Sequence, residues 1–127
     1  MMRRFKYALH GLLMGLKADR SIRLHWIMAV VVFIVAVFLH LSLLQWAILI
    51  LMNFFVIIME YVNSAIESLA DYVHPEQHYA IKKTKDLAAA GVLLAAICAF
   101  FVGLFILLPP LINRFSGFYS LVFGDKL

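Results

Sequence analysis

Long apolar runs separated by short polar segments dominate this sequence. The segment 24–59 contains no Lys, Arg, Asp or Glu. A helix needs about 20 apolar residues to cross a bilayer, so this run is long enough for two crossings. The polar residues His40, Ser42 and Gln45 cluster near its middle and place a turn there. A third apolar run, 87–108, follows a polar segment and precedes two prolines.

These runs predict three membrane helices after an amphipathic N-terminal helix. Apolar residues recur at helical spacing at the start of the chain, with basic side chains mostly on other faces, which is typical of a helix lying in the membrane interface. A signal peptide is disfavoured because Lys6 and His10 interrupt the run and no small-residue cleavage site follows. Pro109 and Pro110 predict the end of the third span. The predicted elements are an interfacial helix over 1–21, membrane helices over 22–40, 44–72 and 87–108, and an outer tail over 109–127.

Composition agrees with a single-domain, all-α integral membrane protein spanning 1–127. Apolar residues make up 65% of the chain, whereas soluble domains are about 45–50% apolar. The net charge of +4 is concentrated beside the apolar runs, where basic side chains meet anionic lipid headgroups. No basic face is interleaved with exposed aromatic residues, which argues against nucleic acid as a partner. The single cysteine, Cys98, allows no internal disulfide.

The distribution of basic residues predicts how the chain is oriented. Lys and Arg precede the first span and recur between the second and third spans, whereas the turn at 40–45 has neither. By the positive-inside rule, the N-terminus and the loop 73–85 are cytoplasmic, and the turn and the C-terminus lie outside. His25 and His40 are expected at headgroup level and not as ligands.

Four polar residues at helical spacing follow the second apolar run: Glu60, Asn63, Glu67 and Asp71. At 100° per residue they share one helix face, which is about 16 Å long. A carboxylate near the bilayer centre costs at least about 2.5 kcal/mol, so an ionisable residue in a membrane helix indicates a functional site. A solvated helix end would explain Asp71 and Glu67, but it explains Glu60 poorly.

Lys85 and Asp86, at the start of the third span, are expected at the same membrane boundary as the acidic face. Hard cations take oxygen ligands and lysine neutralises phosphate charge, so this set suits a magnesium-bound phosphate. It equally suits a cation pathway in a small acidic-pore or structural membrane oligomer. The sequence contains neither G-x-x-x-x-G-K-[ST] nor G-x-G-x-x-G, so any ATP site must be built from membrane helices.

The stretch EYVNSAIESLAD at 60–71, followed by KD at 85–86 and a run of small residues, resembles the small prokaryotic diacylglycerol kinase and undecaprenol kinase family. The resemblance extends from about Phe5 to Pro109. It implies a bacterial inner-membrane enzyme that uses magnesium and moves the γ-phosphoryl group of ATP to the hydroxyl of a membrane lipid. It also implies a homotrimer with cytoplasmic active sites between subunits.

The resemblance further implies roles for individual side chains. Glu60 matches the catalytic base at the lipid hydroxyl, and Arg23 is the second expected lipid contact. Asp19 and Glu67 match the magnesium ligands, although the family usually has glutamate where this sequence has Asp19. The expected nucleotide-binding residues are Tyr7, Asp19, Glu67, Glu76, Gln77, His78, Lys85 and Asp86, with Asn63 and Asp71 as supporting residues. The alternatives are a salt-bridged surface carboxylate at Asp19, an interfacial anchor at Tyr7 and ordinary loop residues at Glu76 and His78.

The expected lipid substrate is undecaprenol, giving undecaprenyl phosphate. The segments 5–8 and 22–25 and the end of the third span at 107–109 resemble the undecaprenol kinase branch more closely. Diacylglycerol, giving phosphatidic acid, is the alternative substrate. Because a methylene-scale difference in an apolar pocket is worth only about 1–3 kcal/mol, we expect some activity on both lipids.

Overall fold

The computed structural model describes residues 1–124, which form four helices. They are α1 (Met2–Ala18), α2 (Arg20–Val37), α3 (Leu43–Val73) and α4 (Tyr79–Phe123). The last three helices are long and apolar enough to cross a membrane. The predicted all-α class, with an N-terminal helix before three candidate membrane helices, is confirmed.

A single residue, Asp19, separates α1 from α2. Its Oδ1 accepts hydrogen bonds from the backbone N–H groups of Ser21 at 2.8 Å and Ile22 at 3.4 Å. This N-cap satisfies donors that the first turn of α2 leaves without partners in the helix. The prediction of one interfacial helix over 1–21 is therefore wrong at its end, because Asp19 begins a new helix before the expected start at 22.

Residues 38–42 form the turn between α2 and α3, close to the predicted position. The Ser42 hydroxyl accepts a hydrogen bond from the Gln45 N–H, and the Gln45 side-chain oxygen accepts one from the Ser42 N–H. This reciprocal capping starts α3 at Leu43. His40 adopts a positive φ of 50°, and α2 ends at Val37 instead of the predicted residue 40.

α4 extends beyond both ends of the predicted span over 87–108. It begins at Tyr79, because His78 Nδ1 accepts a hydrogen bond from the Ala80 N–H and caps a polar first turn. It also continues through Pro109 and Pro110 to Phe123, so the predicted end of the helix is wrong. The prolines remove two backbone donors, and the helix continues on both sides of them. The expected tail over 109–127 is thus helical to 123, and 125–127 lie outside the described residues.

The most extensive helix contact, between α3 and α4, includes small residues of α4. Ala95 is buried, and a Cβ added to Gly91 would lie 2.8 Å from Met59 Cε. Backbones approach closely where side chains are small. This contact positions the polar start of α4 beside the end of α3.

α1 is fixed against both α2 and α3. The Tyr61 hydroxyl of α3 donates to the carbonyl of Leu12 at 2.8 Å. Arg23 Nη1 of α2 donates to two carbonyls in the last turn of α1, at 3.1 and 2.8 Å. These bonds satisfy carbonyls that a helix end leaves free. α1 therefore forms a fixed wall beside the polar half of α3.

Candidate active site

Glu60 is buried on α3, with only 5% of its surface exposed, and faces α2. The Ser21 hydroxyl donates to Glu60 Oε1 at 2.6 Å, and His25 Nε2 lies 3.1 Å from the same oxygen. Ser21 and His25 are one turn apart on α2, so both reach the same carboxylate. A buried carboxylate without partners would be costly, and these two groups offset that cost.

Neither Ser21 nor the contact of His25 with Glu60 was predicted from the sequence, which placed His25 at headgroup level and not as a ligand. The imidazole contacts Glu60 because α2 packs against α3 at this depth. The sequence did contain a sign of this shared contact. Ser21 and His25 are polar residues at i, i+4 spacing, so they lie on the same face of α2. Neither side chain is explained by packing against lipid.

An apolar groove of about 380 Å³ lies between α2, α3 and α4 and begins beside this carboxylate. His25 forms part of its wall, and most other lining residues are aliphatic or aromatic, including Leu49, Ala99 and Leu107. The amide of the polar lining residue Asn53 already donates to the carbonyl of Leu49 at 2.8 Å. The groove suits a hydrocarbon chain whose polar end lies at His25 and Glu60.

A second groove, of about 730 Å³, lies between α1, the start of α2 and α3 and contains the two expected metal ligands, Asp19 and Glu67. The Ser64 hydroxyl donates to Asp19 Oδ2. This bond is the main cause that lowers the pKa of Asp19, while partial burial acts in the opposite direction. Asp19 is therefore a half-buried helix cap bonded across to α3, and not a salt-bridged surface carboxylate.

The donors in this groove fit a magnesium ion that also binds a nucleotide. Mg²⁺ is usually held by one or two carboxylates together with phosphate oxygens and water. Asp19 and Glu67 supply two carboxylates on one groove. Within residues 1–124, no group of three His, Cys, Asp or Glu side chains forms a metal cluster. Asp19 and Glu67 would hold the ion, and phosphate oxygens and water would be its other ligands.

A third groove, of about 520 Å³, lies at the connection between α3 and α4. It contains five of the expected nucleotide-binding residues, namely Glu76, Gln77, His78, Lys85 and Asp86. Lys85 Nζ lies 2.9 Å from Asp71 Oδ1 and joins the two helices. Asp71 lines both this groove and the one that contains Asp19. The expected phosphate and nucleoside contacts are therefore adjacent to the expected metal ligands.

Three expected site residues lie apart from these contacts. Tyr7 is 72% exposed and is not part of the wall of these three grooves. Arg23, the expected lipid contact, uses Nη1 to cap α1. Asn63 Oδ1 is buried, and no group in the described part of the chain donates to it. An unpaired buried acceptor is uncommon, so Asn63 differs in this respect from most buried polar groups.

The sequence matches the family model described as prokaryotic diacylglycerol kinase over residues 6–107. The chain belongs to this family. The matched range contains Asp19, His25, the whole of α3 and the Lys85–Asp86 pair. The main polar residues of the three grooves therefore lie within it. The predicted family is confirmed, and the members found by comparison are named as lipid kinases.

Relatives within the prokaryotic diacylglycerol kinase family differ in the lipid they are named for. A diacylglycerol kinase of Synechocystis sp. is 39% identical over 110 residues, covering 86% of this chain and 63% of the relative. An undecaprenol kinase of Bacillus subtilis is 31% identical over 107 residues, covering 84% and 87%. A diacylglycerol kinase of Helicobacter pylori is 33% identical over 91 residues, covering 72% and 71%. The chain thus spans less than two thirds of the Synechocystis relative.

Proposed function

We propose that this chain is an ATP-dependent kinase that phosphorylates the hydroxyl of a membrane lipid. The observation that carries the proposal is the placement of two glutamates on one face of α3. Glu60 lies beside the apolar groove through its contact with His25, and Glu67 lines the polar groove. Seven residues of helix separate them by about 10 Å. A lipid hydroxyl and a nucleotide phosphate would meet between these positions.

Glu60 is the proposed general base. The lipid hydroxyl oxygen attacks the γ-phosphorus while the bond from that phosphorus to the β–γ bridging oxygen breaks. The hydroxyl proton passes to the Glu60 carboxylate, and ADP leaves with the bridging oxygen. Phosphoryl transfer depends mostly on positioning and charge stabilisation, so a fixed, buried carboxylate at the acceptor oxygen is sufficient protein chemistry for this step.

The other polar residues are proposed to hold the nucleotide. Asp19 and Glu67 would hold Mg²⁺, and Lys85 would contact the phosphates after exchanging its Asp71 partner. Asp86 and the segment 76–78 would line the nucleoside end of the site. Tyr7 is the proposed adenosine contact, and Arg23 the proposed second contact to the lipid.

We propose undecaprenol as the preferred acceptor. A single apolar groove beside Glu60 and the similarity to the Bacillus subtilis undecaprenol kinase over most of its length support this choice. Diacylglycerol is the second candidate, favoured by the 39% identity to the Synechocystis diacylglycerol kinase. Initial rates on the two lipids at equal mole fraction in the same micelles would separate the candidates. A higher specific activity on diacylglycerol would reverse the order.

We also propose a homotrimer in the bacterial inner membrane, with the Glu67 end of α3 facing the cytosol. The unpaired Asn63 oxygen and the exposed Tyr7 support a site completed by a second subunit. In the most apolar window of α4 only 11% of the residues are buried, which leaves surface for other subunits and lipid. Cross-linking or native mass measurement in mild detergent should show trimers. A fully active monomer would contradict the shared site.

The direct test of the kinase proposal uses purified protein, γ-labelled ATP, magnesium and each long-chain lipid alcohol. We expect label to pass to the extracted lipid, and the reaction to stop without magnesium. If folded protein transfers label to neither lipid, the kinase proposal is wrong. Ion flux into proteoliposomes would then test the alternative of an acidic-pore membrane oligomer.

A further inference from the structure

Within the described residues, the polar partners of the Glu60 carboxylate all contact one of its two oxygens, Oε1. The Ser21 hydroxyl and the His25 imidazole both contact Oε1, at 2.6 and 3.1 Å. Among residues 1–124, no side chain or backbone group donates a hydrogen bond to Oε2 of Glu60. The two oxygens of this buried carboxylate therefore have different surroundings, although they are equivalent in a free carboxylate.

We propose that His25, together with Ser21, is a positioning residue that presents Oε2 of Glu60 to the lipid hydroxyl. The inference rests on the proposed function. A donor bound to one carboxylate oxygen stabilises negative charge there, so a new proton is accepted at the other oxygen. The Ser21 hydrogen bond and the His25 contact on the same oxygen also fix the rotation of the carboxylate, which keeps the accepting lone pair in one direction.

The location of His25 extends its role to the substrate. The imidazole contacts Glu60 and also lines the apolar groove between α2, α3 and α4. A lipid chain in that groove would pass the ring before its hydroxyl reached the carboxylate. His25 thus marks the point where the acceptor path meets the base. Nε2 carries a proton in one neutral tautomer and in the imidazolium, and both forms place a polar N–H group 3.1 Å from Oε1, measured from Nε2.

The test compares His25→Leu, which removes the polar imidazole beside Oε1, with His25→Gln, which retains an N–H near the position of Nε2. Hydrogen bonds to charged groups are worth enough to change a rate about 10- to 100-fold. We expect kcat of His25→Leu to fall by this factor while KM for ATP stays within about twofold of the wild type. His25→Gln should recover about tenfold of the loss. The matched control is His10→Leu, on the exposed surface of α1, which should keep the wild-type kcat.

A double-mutant comparison shows whether His25 acts through Glu60. Adding His25→Leu to Glu60→Gln should cause less than about a twofold further loss, because the carboxylate it positions is already absent. An independent loss of tenfold or more in that background would overturn the proposal. The proposal would also be overturned by a kcat of His25→Leu within twofold of the wild type. Equal losses of kcat in His25→Leu and His25→Gln would overturn it as well.

A second variant keeps the test decisive if His25→Leu fails to fold in detergent. Ser21→Ala removes the hydroxyl that donates to Oε1, with a smaller change in volume, and we expect about a tenfold lower kcat at unchanged KM for ATP. An unchanged kcat of Ser21→Ala would then overturn the proposal. Failure of the kinase proposal is recognised separately, because in that case the wild type itself phosphorylates no lipid.

Discussion

The ring of Tyr61 on α3 packs directly against the backbone of Gly15 on α1. A Cβ added to Gly15 would overlap this ring and lie 3.1 Å from Ile22 Cδ1. The Tyr61 hydroxyl also reaches the Leu12 carbonyl, so ring and hydroxyl fix the same stretch of α1. The wall of the groove that contains Asp19 and Glu67 therefore requires glycine at position 15, where a side chain would not fit.

Gly15→Ala should destabilise the packing of α1. Overfilling a packed contact costs about 1–3 kcal/mol, which exceeds the gain of up to about 1 kcal/mol from replacing glycine in a helix. Gly11→Ala is the matched control, because nothing lies within 4 Å of its added Cβ. Thermal unfolding in one detergent should show a lower midpoint for Gly15→Ala and an unchanged or higher one for Gly11→Ala. Equal midpoints would contradict this packing of α1.

Neutral variants of Glu60 and Glu67 should lose kinase activity in different ways. Glu60→Gln keeps the shape of the side chain but removes its capacity to accept a proton, so all but a small residual turnover should be lost, with nearly normal binding of magnesium-ATP. Glu67→Gln should weaken magnesium-ATP binding, because an amide oxygen is a poorer ligand for Mg²⁺ than a carboxylate. Nucleotide binding and lipid phosphorylation over a magnesium series would distinguish them. Near-normal turnover of Glu60→Gln would show that Glu60 is not the base.

Asp19→Asn should reproduce the magnesium dependence of Glu67→Gln in milder form. Asparagine is also a good N-cap, so the start of α2 should survive the change. Phosphorylation rates at low and saturating magnesium are the measurement, with wild type and Glu67→Gln in the same series. A silent Asp19→Asn variant would show that Asp19 only caps α2.

The stability contributed by Asp19 should disappear in acid. Its pKa is lowered in the fold, mainly because Ser64 donates a hydrogen bond to the carboxylate. Folding therefore favours the charged form, so this contribution is complete above the ordinary aspartate pKa of about 4 and is lost as pH falls through the lower pKa of the folded state. Unfolding of wild type and Ser64→Ala should differ at about pH 6 and converge in stronger acid. A difference that does not change with pH would exclude Asp19 as its source.

Lys85→Met should weaken ATP binding about 10- to 100-fold, the range expected for loss of a charge-assisted contact to phosphate. The substitution should change the free energy of unfolding only slightly, because the bridge to Asp71 is partly exposed to solvent. Lys83→Met is the control. It removes an equal charge from the same helix, but Lys83 does not line the groove at the connection between α3 and α4. Equal losses of ATP affinity in both variants would indicate a general charge effect and not a contact.

The number and order of the helices were predictable because each leaves a long signal in the sequence. The acidic face of α3 was predictable too, since helical spacing alone places Glu60 and Glu67 together. Helix ends were less predictable because they depend on single side chains. Asp19 ends one helix by capping the next, and α4 continues through Pro109 and Pro110.

The partners of Glu60 could not be predicted from the acidic motif, because they lie on a different helix. His25 and Ser21 reach the carboxylate only after α2 packs against α3 at a particular rotation. A sequence pattern reports faces within one helix and not the pairing of faces between helices. For the same reason the Ser64–Asp19 bond and the Asp71–Lys85 bridge required a structure.

The length of α4 has a mechanical consequence. Its 45 residues form a rod of about 68 Å, roughly twice the thickness of the hydrocarbon layer. Two consecutive residues without amide hydrogens make Pro109–Pro110 the most easily bent point of that rod. Beyond it, Arg114 ties the rod to the carbonyl of Phe38 at the corner between α2 and α3. Bending should therefore be concentrated there, so that the far end of α4 can move with this corner while Lys85 keeps its place at the other end.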